Sequence, residues 1–189
     1  SNLKVKSAIV EILLVGALVA TSIGVSYSAL QPKSLENEIE VKAMTYNVLY
    51  KGFNGTIKDW EYRKQYVVDL IESEDPDVFG IQEGWLNQVA YLQNNLTNRN
   101  YSIYGVGRDN GADLGETNTI FFDSDLFQLL NNGTFWLSET PEKPSTYTTE
   151  PIWRIASWVM LREKATGTEF YFYNTHFGFY PEFHIRASV

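Results

Sequence analysis

"DPDVFGIQEGW", residues 75–85, is the stretch on which the reading of this chain turns. Asp75-Pro76 ends whatever helix precedes it, because proline crowds the residue before it out of the helical region. Asp77 to Ile81 then reads as a short buried strand, and the run delivers one carboxylate, Glu83, to its end. Two readings of Glu83 are open at this point. It is a solvated glutamate in a polar turn, or it is a metal ligand.

Upstream, "WEYRKQYVVDLIESE", 60–74, places Trp60, Tyr66, Val67, Leu70 and Ile71 at helical spacing with charges between them, and Asp59 stands where a helix cap belongs. Before it, "IEVKAMTYNVLY", 39–50, alternates Ile39, Val41, Ala43 and Thr45 with more polar neighbours, as a strand does. Downstream, 85–97 reads as helix, and 101–107, 118–123 and 127–137 read as strands or hairpin arms. Asn132-Gly133 is either a hairpin turn or a bulge. After the long loop 139–151, strands over 153–163 and 168–177 flank the turn "KATG", 164–167, and 181–189 opens as a helix. Strands and helices alternate early and sheet dominates later, which predicts an α/β sandwich rather than a doubly wound nucleotide fold. "GVGRDNG", 105–111, lacks the G-x-G-x-x-G spacing of a phosphate loop.

The 189 residues are 44% apolar and 15% aromatic, enough for one globular domain. With no cysteine there is neither a disulfide scaffold nor a thiolate metal site. A formal charge of −8 argues against a protein that coats nucleic acid, though not against a pocket that holds one phosphate beside a cation. Residues 1–30 differ in character. Lys4 and Lys6 precede an apolar run over 7–30 whose sole charge is Glu11, so the segment reads as a secretory signal or an uncleaved membrane anchor. Residues 31–38 form a polar linker, and the domain occupies 39–189. Either reading places it outside the cytoplasm or at the cell surface. Sequons at Asn54, Asn95 and Asn132 permit glycosylation without arguing for it.

Three places put polar groups at the end of an apolar strand: Asn47, Glu83, and Asn174 with His176. Strand-end loops are where α/β architectures hold their chemistry. A carboxylate with amide oxygens suits a hard divalent cation, which keeps several waters and needs few protein ligands. A histidine beside it can stabilise a phosphoryl oxygen. Zinc fits poorly, since the two histidines, His176 and His184, are eight residues apart. Serine-hydrolase and paired-carboxylate glycosidase signatures are missing as well.

"MTYNVLYKG", "DPDVFGIQEGW", "YGVGRDNGADLGETNTIFFDSD", "TFWLSETPEKPS" and "RIASWVMLREKATGTEFYFYNTHF" together resemble the endonuclease/exonuclease/phosphatase superfamily, from about Val41 to Ser188. The resemblance implies a four-layer α/β/β/α sandwich of the deoxyribonuclease-I type, and it is greatest to secreted or membrane-attached bacterial metal-dependent hydrolases. It implies that Glu83 ligates Mg2+ or Mn2+ and that Asn47 lies beside metal and scissile phosphate. His176 would stabilise the transition state, with Asn174 supporting it. Arg108 and Glu116 would lie at the substrate rim. Arg63 and Arg154 match family arginines without a clear role, and Arg63 also reads as the partner of an acidic neighbour on its helix. Gly178-Phe179 departs from the Asp-His that many relatives carry after the "NTHF" motif.

The family's later Asp-x-Asn motif and terminal Asp-His pair find no match here. The resemblance therefore implies an incomplete sandwich, inactive as 189 residues alone, within a protein that hydrolyses phosphoesters or phosphodiesters. Substrates in reach are a small molecule, a lipid headgroup or a nucleic acid. Membrane contact would run through residues 7–30, and no obligate protein partner is expected. The competing reading is a membrane-attached binding module that keeps the fold without the chemistry.

Overall fold

The computed structural model describes residues 39–52, 55–146 and 152–178. The signal or anchor segment, the 31–38 linker, Asn54, residues 147–151 and the segment 181–189 lie outside the described residues. Among those described, no helix is long and apolar enough to cross a membrane.

Among the described residues nine elements follow one another: β1 (Ala43–Asn47), α1 (Trp60–Glu74), β2 (Val78–Gln82), α2 (Leu86–Asn95), β3 (Tyr101–Tyr104), β4 (Ile120–Asp123), β5 (Phe127–Trp136), β6 (Ile155–Glu163) and β7 (Glu169–Thr175). They make two sheets. The first has the order β1-β2-β4-β3, with β1 parallel to β2 and the remaining pairs antiparallel. The second is an antiparallel meander, β5-β6-β7.

The two-residue period of β2 and β4 explains the layering. Phe79, Ile81 and Phe121 point to one side, where they pack with Trp60, Val67, Val68 and Ile71 of α1 and Val89 and Leu92 of α2. Val78, Ile120 and Phe122 point to the other side and meet Phe127, Val159 and Leu161 of the second sheet. β2 is thus covered on both faces, and all five of its residues are buried. The result is a partial deoxyribonuclease-I-like sandwich, with helices, first sheet and second sheet as three successive layers among the described residues. The outer face of the second sheet carries Trp158, Tyr171 and Tyr173 in mutual ring contact.

Helix α1 begins and ends where the sequence says it should. Asp59 caps it by accepting from the Glu61 N–H, and Asp75 closes it in the left-handed region at φ 44°. Its buried stripe differs from the expected one. Val68 is buried with Trp60, Val67 and Ile71, whereas Tyr66 is 75% exposed and Leu70 40% exposed. Positions 60, 67, 68 and 71 share one face, and 66 and 70 lie on its flank. Asn132-Gly133 forms no turn. β5 runs straight through it, and the irregularity lies at Leu129/Asn131, where Leu130 is the extra residue of a bulge.

Candidate active site

Asn47 ends β1, and the parallel register sets it opposite Gln82, so that Glu83 follows immediately on the neighbouring strand. Asn47 Nδ2 donates to Glu83 Oε1 at 2.8 Å, and the Tyr50 N–H donates to Oε2 at 3.3 Å. Both Glu83 and Leu49 have left-handed backbones, at φ 61° and 55°. A side chain in that region carries strain, which survives only where the surroundings over-determine it. Here they do. Arg63 donates to the carbonyls of Val48, Leu49 and Lys58 at 2.6, 2.9 and 2.6 Å, and the buried Gln88 adds a bond to Leu49 O at 3.0 Å. Arg63 therefore braces the β1 exit through backbone carbonyls instead of pairing with an acidic helix neighbour.

β7 supplies the next group. Asn174 is 4% exposed and faces β2 across the two sheets. Its Nδ2 donates to Ile81 O at 2.8 Å and Thr119 O at 3.1 Å, and its Oδ1 accepts from Gln82 Nε2 at 2.7 Å. Gln82 also donates to Thr45 Oγ1 at 3.0 Å. One buried amide pair thus joins β1, β2, β7 and the residue that leads into β4. Gly80 makes the approach possible: a Cβ there would collide with Asn174 Cγ. Two residues beyond this clamp, His176 lies with Nε2 3.9 Å from Glu83 Oε1. Its Nδ1 is 3.0 Å from a guanidinium nitrogen of the buried Arg154.

The block "GRDNGADLGE" reaches the same end of the sheet. Thr117 forms antiparallel bridges with both Gly84 and Gly107, which hold the block's two ends against the turn after Glu83. Asn110 Oδ1 accepts from the N–H groups of Ala112, Asp113 and Leu114, so the loop is tied to itself. Arg108 donates to Glu116 Oε2 at 2.7 Å, and Trp136 Nε1 fixes the Arg108 carbonyl. Burial pushes the Glu116 carboxyl up, opposed by the Arg108 charge and reinforced by Glu83. Burial pushes the His176 imidazole down, helped by Arg154 and opposed by Glu83. These groups feel one another's fields, so Glu83, Glu116, Arg108, Arg154 and His176 form one electrostatic unit.

The site residues singled out in the sequence are thus gathered at one end of the sandwich. Asn47, Glu83 and His176 meet around one carboxylate, with Arg108 and Glu116 beside them as a pair. Asn174 spends both its amide protons and its oxygen on the clamp, which makes it a support that sets where His176 sits. Gln82 and Gln88 do comparable work and escape a reading of the sequence. Gln82 carries a signal all the same, being an amide on the inward face that it shares with Val78 and Gly80. Among the described residues no three His, Asp or Glu cluster as a metal cage. Each Glu83 oxygen carries a single hydrogen bond given above, which leaves lone pairs for a hard cation. Asn47 Oδ1 accepts from Leu49 N at 2.9 Å and keeps one lone pair. The donor set fits an oxygen-loving ion that retains most of its waters.

Known proteins are similar to this chain in structure or in sequence. An endonuclease/exonuclease/phosphatase from Bacteroides vulgatus is 35% identical and matches 74% of this chain and 53% of its own, with a TM-score of 0.70. A mannosyl-6-phosphatase from Bacteroides thetaiotaomicron is 34% identical over 79% of this chain and 55% of its own, with a TM-score of 0.71. An uncharacterised protein of Acanthamoeba polyphaga mimivirus is 27% identical over 166 residues, 79% of this chain and 58% of its own. The chain spans about half the length of these solved structures. Residues 44–187 match the endonuclease/exonuclease/phosphatase family, and the chain belongs to that family.

Proposed function

We propose that the protein containing this chain is a divalent-metal-dependent phosphoester hydrolase, with Mg2+ as the first ion to test and Mn2+ as the second. One observation carries the reading: the Glu83 carboxylate is fixed by Asn47 at the end of β2, with the His176 ring 3.9 Å away. When bound, a divalent ion at Glu83 neutralises phosphate charge and favours attack by water. Glu83 would hold it, and the Asn47 amide and Tyr50 N–H keep the carboxylate from turning away. His176 offers a ring N–H to a phosphoryl oxygen as charge develops there. Arg108, paired with Glu116, keeps further guanidinium donors for substrate oxygens at the rim.

The mannosyl-6-phosphatase relative supports a sugar phosphate monoester as the first substrate class, ahead of diesters. The acidic surface weighs against polynucleotides. The test is a panel of mannose 6-phosphate, a generic phosphodiester, plasmid DNA and a phospholipid headgroup ester, offered to the full-length protein with Mg2+, Mn2+ or chelator. Turnover of one class that chelator abolishes supports the reading. A folded protein silent on every substrate with both ions contradicts it and returns the binding module to first place.

A further inference from the structure

His176 has one strong neighbour whose chemistry admits a single protonation pattern. The Arg154 guanidinium lies 3.0 Å from His176 Nδ1. Arginine stays protonated in proteins and carries donors only, so the imidazole nitrogen facing it has to accept. A nitrogen that accepts carries no proton. The proton of a neutral ring then sits on Nε2, the atom that looks toward Glu83. Arg154 is buried, at 5% exposed, and its backbone is anchored at the start of β6, where its carbonyl accepts from Leu137 N at 2.8 Å. His176 in turn follows the Asn174 clamp and Thr175, whose hydroxyl donates to Ile155 O at 2.9 Å. Two rigid strands thus set guanidinium against imidazole.

We infer that Arg154 is a positioning residue that holds His176 in the Nε2–H tautomer, so that His176 serves the phosphoryl group as a neutral hydrogen-bond donor and not as a base. This rests on the phosphoester reading for the identity of the acceptor, but the tautomer itself does not. An Nε2 that already carries the proton has no lone pair with which to take one from water. It can only donate, toward the space beside Glu83 where a phosphoryl oxygen would bind. A backbone carbonyl or carboxylate facing Nδ1 would favour the opposite pattern or a charged ring.

The experiment is 15N NMR of the full-length protein with labelled histidine and arginine, in chelator, at neutral pH. The signals lost in His176→Gln identify the ring. Nδ1 should show the shift of an unprotonated nitrogen and Nε2 that of a protonated one, with a through-hydrogen-bond 15N–15N coupling between Arg154 and Nδ1. Arg154→Met should let both tautomers appear and lower kcat on the order of 10²-fold, with KM moving far less. A protonated Nδ1 in the wild type overturns the inference. So does a pure Nε2–H tautomer in folded Arg154→Met. Should that variant fail to fold, the wild-type coupling decides alone, and its absence counts against the pairing. Absence of hydrolysis with the tautomer in place would refute the proposed function and leave the pairing standing.

Discussion

At the scale of single residues, Glu83 combines chemistry with conformational cost. A strand that simply ended at a solvated turn would have no reason to place a non-glycine at φ 61°. Three donors around Leu49 O and Val48 O hold the facing turn in the same unusual region. Glu83→Gln keeps size and hydrogen-bond geometry while removing the charge. It should lower metal-dependent turnover on the order of 10³-fold, as expected for several kcal/mol of lost charge stabilisation, with the melting temperature nearly unchanged. Kinetics and a thermal melt on the same preparation check both halves. Glu83 and His176 were legible because each interrupts an apolar strand at its end. The bracing roles of Arg63 and Gln88 were not, because carbonyl-seeking side chains obey no spacing rule and their targets appear only once β1, α1 and α2 have packed.

Among the elements, β2 and β7 matter most, because the site depends on how closely their backbones approach. Gly80→Ala puts a methyl group into the Asn174 amide and should cost roughly 1–3 kcal/mol as the clamp is forced aside. The shift of the urea midpoint measures this, and a neutral result would mean that the sheets separate easily. Asn174→Ala removes three buried bonds and leaves the carbonyls of Ile81 and Thr119 and the Gln82 amide short of partners, again about 1–3 kcal/mol. Helix α1 is tied to one end of the first sheet by Arg99, which binds Asp75 at 2.6 Å, and Asp77 at 2.7 Å and Asp123 at 3.1 Å where the start of β2 meets the end of β4. Hydrogen bonding to Arg99 holds the Asp75 carboxyl below the usual carboxylate range. A carboxyl depressed in the fold contributes stability that is complete above its unfolded pKa of about 3.9 and is lost as pH falls through the folded value. Arg99→Met should therefore destabilise the protein at neutral pH and less in strong acid, which denaturation at both pH values tests. Element order and type could be read from periodicity for β1, α1, β2, α2 and the later strands. The buried face of α1 and the path of β5 through Asn132-Gly133 could not. A one-position choice of stripe or a turn signal inside a long strand is settled by partners distant in sequence, here Phe79 for the helix and Trp158 for Gly133.

For the molecule as a whole, the two sheets were foreseeable as a sandwich because strands and helices alternate early and sheet dominates later, whereas the site was foreseeable only as a set of strand ends. What the sequence could not supply is the inter-sheet geometry that brings β7 over Gly80 and so carries His176 to Glu83. The surface field follows from composition alone. At −8, these residues should bind polynucleotide no better than about 10⁻⁴ M at physiological salt, the weak limit of non-specific DNA affinity. Fluorescence anisotropy with a labelled duplex measures it, and sub-micromolar binding would point to a basic groove elsewhere in the protein. The most direct test of the central claim is Mg2+-dependent turnover of a phosphoester by the full-length protein and its Glu83→Gln variant, side by side. The account predicts hydrolysis by the wild type that chelator removes and Mg2+ restores, with the folded variant nearly inactive at the same Mg2+. Equal rates from the two proteins would contradict it.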